Sequence, residues 1–152
     1  MKIRIKKLHP NAREPVYGSA GAAAFDLHAA TVDSFSTIGK HVVDPVVCGT
    51  GLAFEIPPGH GMLILSRSGH GFSSDVRLAN CVGLIDSDYR GEVMVKLTSD
   101  REDDDGIDHL HVKPGDRIAQ AIIIPIPAIE FDVVDDLTTT VRGAGGLGST
   151  GQ

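Results

Sequence analysis

"NCVGLIDSDYRGEVMVKL", Asn80–Leu97, sets two apolar segments on either side of a turn built from Asp, Ser, Arg and Gly. Short apolar flanks around such a turn read as a β-hairpin, with Asp86 and Tyr89 at its tip and Asp88 between them. Two readings of the tip stand side by side. Asp and Gly dominate turns for backbone reasons alone. A rigid tip over a concave surface equally suits a general base beside a small ligand.

The rest of the chain repeats this grammar. Short apolar or alternating runs fall at Ile3–Ile5, Ala24–Leu27, Gly51–Glu55, Met62–Ser66, Leu78–Val82, Glu92–Leu97, His109–Val112, Arg117–Ile124 and Glu130–Val134. The turn signals "PPGHG", "SDYRG", "KPGD" and "PIP" separate several of them. No ten-residue window keeps a 3.6-residue apolar period, and 18 Gly and 8 Pro are scattered throughout, so long helices are not expected. Many short strands at this spacing predict an all-β fold, a jelly-roll-like sandwich or barrel. A chain of 152 residues, 41% of them apolar, suits one domain spanning 1–152, with a β core over about 1–136. Residues 137–152 form a glycine-rich arm with almost no apolar bulk, expected to be mobile unless something outside orders it.

Charge and cysteine usage narrow the classes of function. The net charge of −6 comes largely from "TSDREDDDGID", which reads as a solvated acidic loop, so neither a nucleic-acid surface nor a stable nucleic-acid partner is expected. Apolar runs such as Ala121–Ile124 stop far short of the roughly 20 residues that cross a bilayer, and the basic start "MKIRIKKLHP" lacks the apolar block of a signal peptide. A cytoplasmic protein without a membrane partner is expected. Cys48 and Cys81 are too few for a disulfide framework and lack metal-ligand spacing; both are expected reduced and partly buried.

The arm invites two motif assignments that fail. Gly143, Gly145 and Gly148 fit GxGxxG, but a dinucleotide site needs a strand before the motif and a helix after it, and only four residues follow Gly148. A P-loop match fails because Ser149 stands at the lysine position. Glycine-rich backbone beside Arg142 can still surround phosphate oxygens, and a disordered tail remains the alternative. Elsewhere, "SRSGHG" (Ser66–Gly71) ends an apolar strand with a guanidinium, a hydroxyl and a glycine, suited to phosphate or to an ordinary surface turn. Gln120 in "PGDRIAQAIIIP" and Asp26 in "SAGAAAFDLHA" are polar residues in apolar stretches, which need partners if buried.

Five segments in this order, "AGAAAFDLHA", "SRSGHG", "NCVGLIDSDYRG", "GDRIAQAIIIP" and "RGAGGLGSTG", closely resemble the homotrimeric dUTPase family over nearly the whole chain. The resemblance implies a jelly-roll-like trimer with three sites at subunit boundaries, each covered by the arm of a neighbour. It further implies hydrolysis of dUTP to dUMP and pyrophosphate, which limits uracil incorporation into DNA and supplies dUMP for thymidylate synthesis. Asp86 corresponds to the base that activates water for in-line attack on the α-phosphorus. Tyr89 corresponds to the residue that packs on deoxyribose and excludes a 2′-OH. Asn80, with the backbone near Leu84, Ile85 and Met94, corresponds to the uracil-reading group, whose close fit leaves no room for a thymine methyl. Arg67, Ser68 and Gly69 match the phosphate-contacting motif, Gln120 the glutamine at the α-phosphate, and Arg142 the arm arginine at the γ-phosphate. Mg²⁺ would be held chiefly by the phosphates and water, with Asp26 either touching that hydration shell or structural.

Three departures accompany the resemblance. Leu147 stands where the family arm usually stacks an aromatic on uracil, which predicts weaker closure and a raised KM. "HGFSSDVR" is less basic than the family wording, and the acidic loop is longer than usual. A dCTP deaminase, the related rival, would need a catalytic glutamate where Lys96 stands. A non-catalytic binding module or a β-rich structural protein fits the strand pattern but not Asp86, Tyr89, Arg67 and Gln120 together.

Overall fold

A computed structural model describes residues 1–34, 45–100 and 110–146. Along the chain lie β1 (Arg4–Lys7), β2 (Val16–Tyr17), β3 (Phe25–His28), β4 (Thr31–Ser34), β5 (Val46–Gly49), β6 (Leu52–Glu55), β7 (His60–Leu65), α1 (Ser68–Ser74), β8 (Val76–Leu78), β9 (Val82–Ile85), β10 (Met94–Ser99) and β11 (Arg117–Pro125). They form a five-stranded sheet ordered β2-β3-β11-β7-β9, a four-stranded sheet ordered β4-β5-β10-β8 and a β1-β6 pair. Every pairing is antiparallel. The all-β, jelly-roll-like expectation holds, with one short helix among the described residues.

Alternation explains where the core sits. In β10, Val95, Leu97 and Ser99 are buried while Met94 and Lys96 point out. In the facing sheet Leu27, Met62, Ile64, Ala119 and Ala121 turn inward against Cys48, Leu78, Val95 and Leu97. Each large side chain withdrawn from water in this way contributes about 1.5–3 kcal/mol. β11 occupies the middle of its sheet, where β-branched residues pack best. A register shift between Arg117 and Ala119 lets the consecutive residues Ile118 and Ala119 both be fully buried, which strict alternation forbids.

Several expected elements differ. β2, β4, β5 and β9 were not anticipated, and Leu78–Val82, expected as one strand, instead holds the end of β8, a turn over residues 79–81 and the start of β9; β4 and β5 show no clean alternation, and β2 has only two residues. α1 replaces a turn after "SR", ending at Asp75, whose φ of 53° is left-handed and whose N–H donates to His70 O. Leu110–Val112 and Glu130–Val134 are not strands. The alternation in "EFDVV" is present, but no described strand of the chain pairs with it. After β11, Ile126 N–H still donates to Gly59 O, and residues 127–144 run exposed. Cys48 is buried but Cys81 is exposed, against the expectation that both are partly buried. The acidic run 101–108, His109 and Leu147 lie outside the described residues.

The main correction concerns the quoted hairpin. β9 pairs with β7 and β10 pairs with β5 and β8, so the two arms belong to different sheets. They start together: Leu97 opposes Leu78, and Ala79 N–H donates to Lys96 O. At Asn80 the chain then turns sharply, with Val82 N–H donating to Asn80 O across Cys81, whose φ is 64°. This is the rare γ-turn with a positive central φ, strained for a residue carrying Cβ. It throws β9 onto the other sheet and splays the hairpin open.

Candidate active site

Asn80, β9 and Met94 flank the point where the two arms part into different sheets. Asn80, Leu84 and Met94 are exposed and Ile85 is half-buried. Gly83 lets β9 lie close on the core: a Cβ there would sit 3.0 Å from Ile64 Cβ, with Asn80 Nδ2 also within 4.0 Å. The amide of Asn80 thus stands beside the first residues of β9, and Asp86 follows its last.

The connection from β9 to β10 is held by its own hydrogen bonds. Tyr89 N–H donates to Asp86 O at 3.3 Å, and Arg90 Nη1 donates to Ser87 O at 2.7 Å and Tyr89 O at 2.9 Å. Tyr89 folds back over Gly91, its hydroxyl donating to Glu92 O at 2.9 Å. The ring occupies the space a side chain at Gly91 would take, since a Cβ there would fall 2.4 Å from Tyr89 Oη and 2.6 Å from Cζ. Glu92 in turn accepts the Gly51 N–H at 2.7 Å, and Val93 O accepts from Thr50 Oγ1 at 2.7 Å, so the turn is anchored to the buried Thr50–Leu52 corner. Asp86 itself is exposed. Asp88 is exposed as well, and nothing in the structure assigns it a role.

A second cluster lies where β3, β11 and β7 meet. Asp26 opposes Gln120, and Gln120 opposes Leu65, so these side chains share the outward face. Asp26 accepts from Arg67 Nε at 3.1 Å and from Arg117 Nη1 at 3.3 Å; the Arg67 and Asp26 side chains are only 18% and 13% exposed. Gln120 Nε2 donates to Ser66 O at 3.0 Å, and Ser66 Oγ accepts from Leu78 N–H at 3.0 Å. Ser66, directly after β7, therefore ties that strand's end to the end of β8 and to Gln120 within β11, while Asp26 orients Arg67. Ser68 and Gly69, the exposed first residues of α1, follow directly. Burial and the nearby Arg67 guanidinium lower the His70 pKa below its ordinary value. His28, paired with Arg117 across β3 and β11, is lowered by burial and then by Arg13.

Asp86 and the turn that follows it sit at the opposite end of the five-stranded sheet from the Arg67–Gln120 cluster. Continuing the β7–β9 register sets Asp86 opposite Gly61, whereas Arg67 lies beyond the other end of β7, six residues of extended chain away, or about 20 Å. Val82 opposes Leu65, so Asn80 lies at the Arg67 end. Arg142 belongs to neither cluster; its Nε donates to Gly145 O within the arm. Sequence reasoning missed Ser66, Gly91, Glu92 and Arg117. Ser66, Gly91 and Arg117 lie inside the quoted segments, but their residue types do not announce the partners they meet in the fold.

The dUTPase family model matches residues 11–151. The deoxyuridine 5′-triphosphate nucleotidohydrolase of Wolinella succinogenes is 41% identical over 152 residues, covering all of this chain and 95% of that one. That of Nautilia profundicola is 41% identical over 155 residues, with both chains fully covered. Among solved structures, a Staphylococcus bacteriophage 80alpha dUTPase G164S mutant with dUpNHpp superposes with a TM-score of 0.83 at 26% identity, over 99% of each chain. With its strand order, its splayed hairpin and this likeness across its full length, the chain belongs to the dUTPase family.

Proposed function

We propose that this dUTPase hydrolyses dUTP to dUMP and pyrophosphate at sites shared between three copies of the chain. The observation that carries the reading is the placement of the two clusters. A nucleoside laid along β9 meets Asn80 with its base and reaches Tyr89 and Asp86 with its sugar and α-phosphate. Its phosphates then extend past Asp86, away from the Arg67 and Gln120 of the same chain. In this reading the phosphate-contacting group comes from another copy, and each site is incomplete without it. The outward face of the five-stranded sheet suits such an assembly: Val16, Val82 and Leu84 are about half exposed, and Ile129, Phe131, Val133 and Leu137 stand out from the chain after β11.

In this reading the Asp86 carboxylate takes a proton from a water aligned for in-line attack on the α-phosphorus, and pyrophosphate leaves. Tyr89, fixed over Gly91, packs on the deoxyribose face where a 2′-OH would collide. Asn80 and the backbone near Leu84, Ile85 and Met94 read the uracil edge. Arg67, Ser68 and Gly69 hold phosphate oxygens from the neighbouring copy, Gln120 approaches the α-phosphate, and Arg142 the γ-phosphate, with Leu147 covering the base.

Among the described residues no group of three or more His, Cys, Asp or Glu is arranged to hold a metal ion, and both Asp26 oxygens accept from arginines. In this reading Mg²⁺ would be held by the triphosphate and water, with Asp26 placed to accept from its hydration shell. Bound in that way the ion neutralises phosphate charge. No described helix is long and apolar enough to cross a membrane; a cytoplasmic location, or a host-cell interior for a viral chain, accompanies the reading. The test is incubation with Mg²⁺ and dUTP, dCTP or UTP, assaying pyrophosphate and ammonia. Pyrophosphate from dUTP alone supports it; ammonia from dCTP or no product at all overturns it.

A further inference from the structure

The described part of the arm carries its own hydrogen bonds. Gly143 N–H donates to both the carbonyl and the Oγ1 of Thr140, each at 3.1 Å. Gly145 N–H then donates to Arg142 O at 3.0 Å, and Arg142 Nε donates to Gly145 O at 2.9 Å. Thr140–Gly143 and Arg142–Gly145 are thus two consecutive turns sharing Arg142 and Gly143, and Gly143 holds the positive φ of 52° that an L side chain would strain. All of this occurs where the chain is exposed, with Val141 fully in water, so packing does not impose it.

We infer that Thr140 is a positioning residue for the reaction: its hydroxyl locks the first turn and so presets the Arg142 guanidinium and the glycine amides behind it. The inference rests on the reading that Arg142 contacts the γ-phosphate. Glycines make this segment expensive to order, because they lose more backbone freedom than other residues. A hydroxyl that accepts the Gly143 N–H adds an internal hydrogen bond to the turn carrying Arg142, which offsets part of that loss and favours closure without adding a contact to the nucleotide. Tying Nε to Gly145 O fixes the guanidinium plane against the backbone and leaves the two terminal nitrogens as donors, the pair suited to a bidentate phosphate contact.

The test compares Thr140→Val, which keeps the shape and removes the hydroxyl, with Thr140→Ser, which keeps the hydroxyl, and uses Arg142→Ala as a control. The readouts are KM and kcat with dUTP, inhibition by dUDP, which lacks the γ-phosphate, and the thermal midpoint. Thr140→Val is expected to raise KM for dUTP about 3- to 10-fold, the loss that follows removal of one loop-ordering hydrogen bond. Thr140→Ser is expected to restore the parent value within about twofold. The thermal midpoint should not move, because the residue is outside the core, and inhibition by dUDP should change less than KM for dUTP, because dUDP lacks the γ-phosphate that Arg142 holds. If Arg142→Ala impairs turnover while Thr140→Val matches the parent, the inference is wrong and the arm reading survives. If Arg142→Ala is also silent, both fall.

Discussion

Gly91 offers a direct test of the proposed role of Tyr89 in sugar selectivity. In Gly91→Ala the new methyl would sit 2.4 Å from Tyr89 Oη and 2.6 Å from Cζ, about 1 Å inside ordinary contact. Backbone cannot absorb this, since Glu92 and Val93 beside it are bonded to Gly51 and Thr50. The ring can, because Tyr89 is 44% exposed. It would swing outward and lose its bond to Glu92 O, worth about 1 kcal/mol, so global stability should fall by no more than roughly that amount. Catalysis should suffer more, because a ring displaced by about 1 Å no longer packs on the deoxyribose; an effect of roughly 10- to 100-fold on kcat/KM for dUTP follows. UTP, no longer rejected by the ring, should lose less or gain. The assay is pyrophosphate release from dUTP and UTP at matched concentrations. A dUTP-to-UTP preference within about twofold of the parent would refute the assignment of Tyr89 as the sugar-discriminating group.

Other outcomes follow from the same geometry. Asp26→Ala leaves Arg67 poorly solvated and unpaired; roughly 2–3 kcal/mol and about 5–10 °C of thermal midpoint should be lost. The loss should be as large in EDTA as in Mg²⁺, and a loss seen only with Mg²⁺-nucleotide would show the role to be outer-shell instead. His28 and His70 bind protons more weakly in the folded chain. The unfolded state therefore takes up protons first as pH falls below the ordinary 6.5, and stability declines from there through the lowered folded values. Denaturant titrations should show a shallower decline for the His28→Gln/His70→Gln double variant, and equal slopes would exclude these two imidazoles. Leu147→Phe should lower KM for dUTP by restoring stacking, worth about 1–3 kcal/mol per base in nucleic-acid sites; unchanged kinetics would count against the arm's contact with the base.

Much of this was readable because the strong strands carry their own patterns. "RIAQAIIIP" announces a buried strand, and Gln120 announces a polar partner, found in Ser66 O. The hairpin was misread for a physical reason. Its two arms have the composition of strands, but whether they pair is decided at Cys81, where a positive φ in a non-glycine residue leaves no mark in composition. α1 was hidden likewise: seven residues with no buried side chain have no periodicity to detect. The strand expected at Glu130–Val134 shows the converse. Its alternation is real, and the partner that would make it a strand is not among this chain's own described strands. Arg117 was overlooked because its importance lies in Asp26, 91 residues away.

The central claim is that the carboxylate at the crossing between the two sheets activates water. Single-turnover measurement of pyrophosphate release from dUTP by Asp86→Asn, with binding of a non-hydrolysable dUTP analogue as control, tests it most directly. The account predicts a rate lowered about 100- to 10,000-fold with analogue binding largely retained. A rate within about threefold of the parent would contradict it.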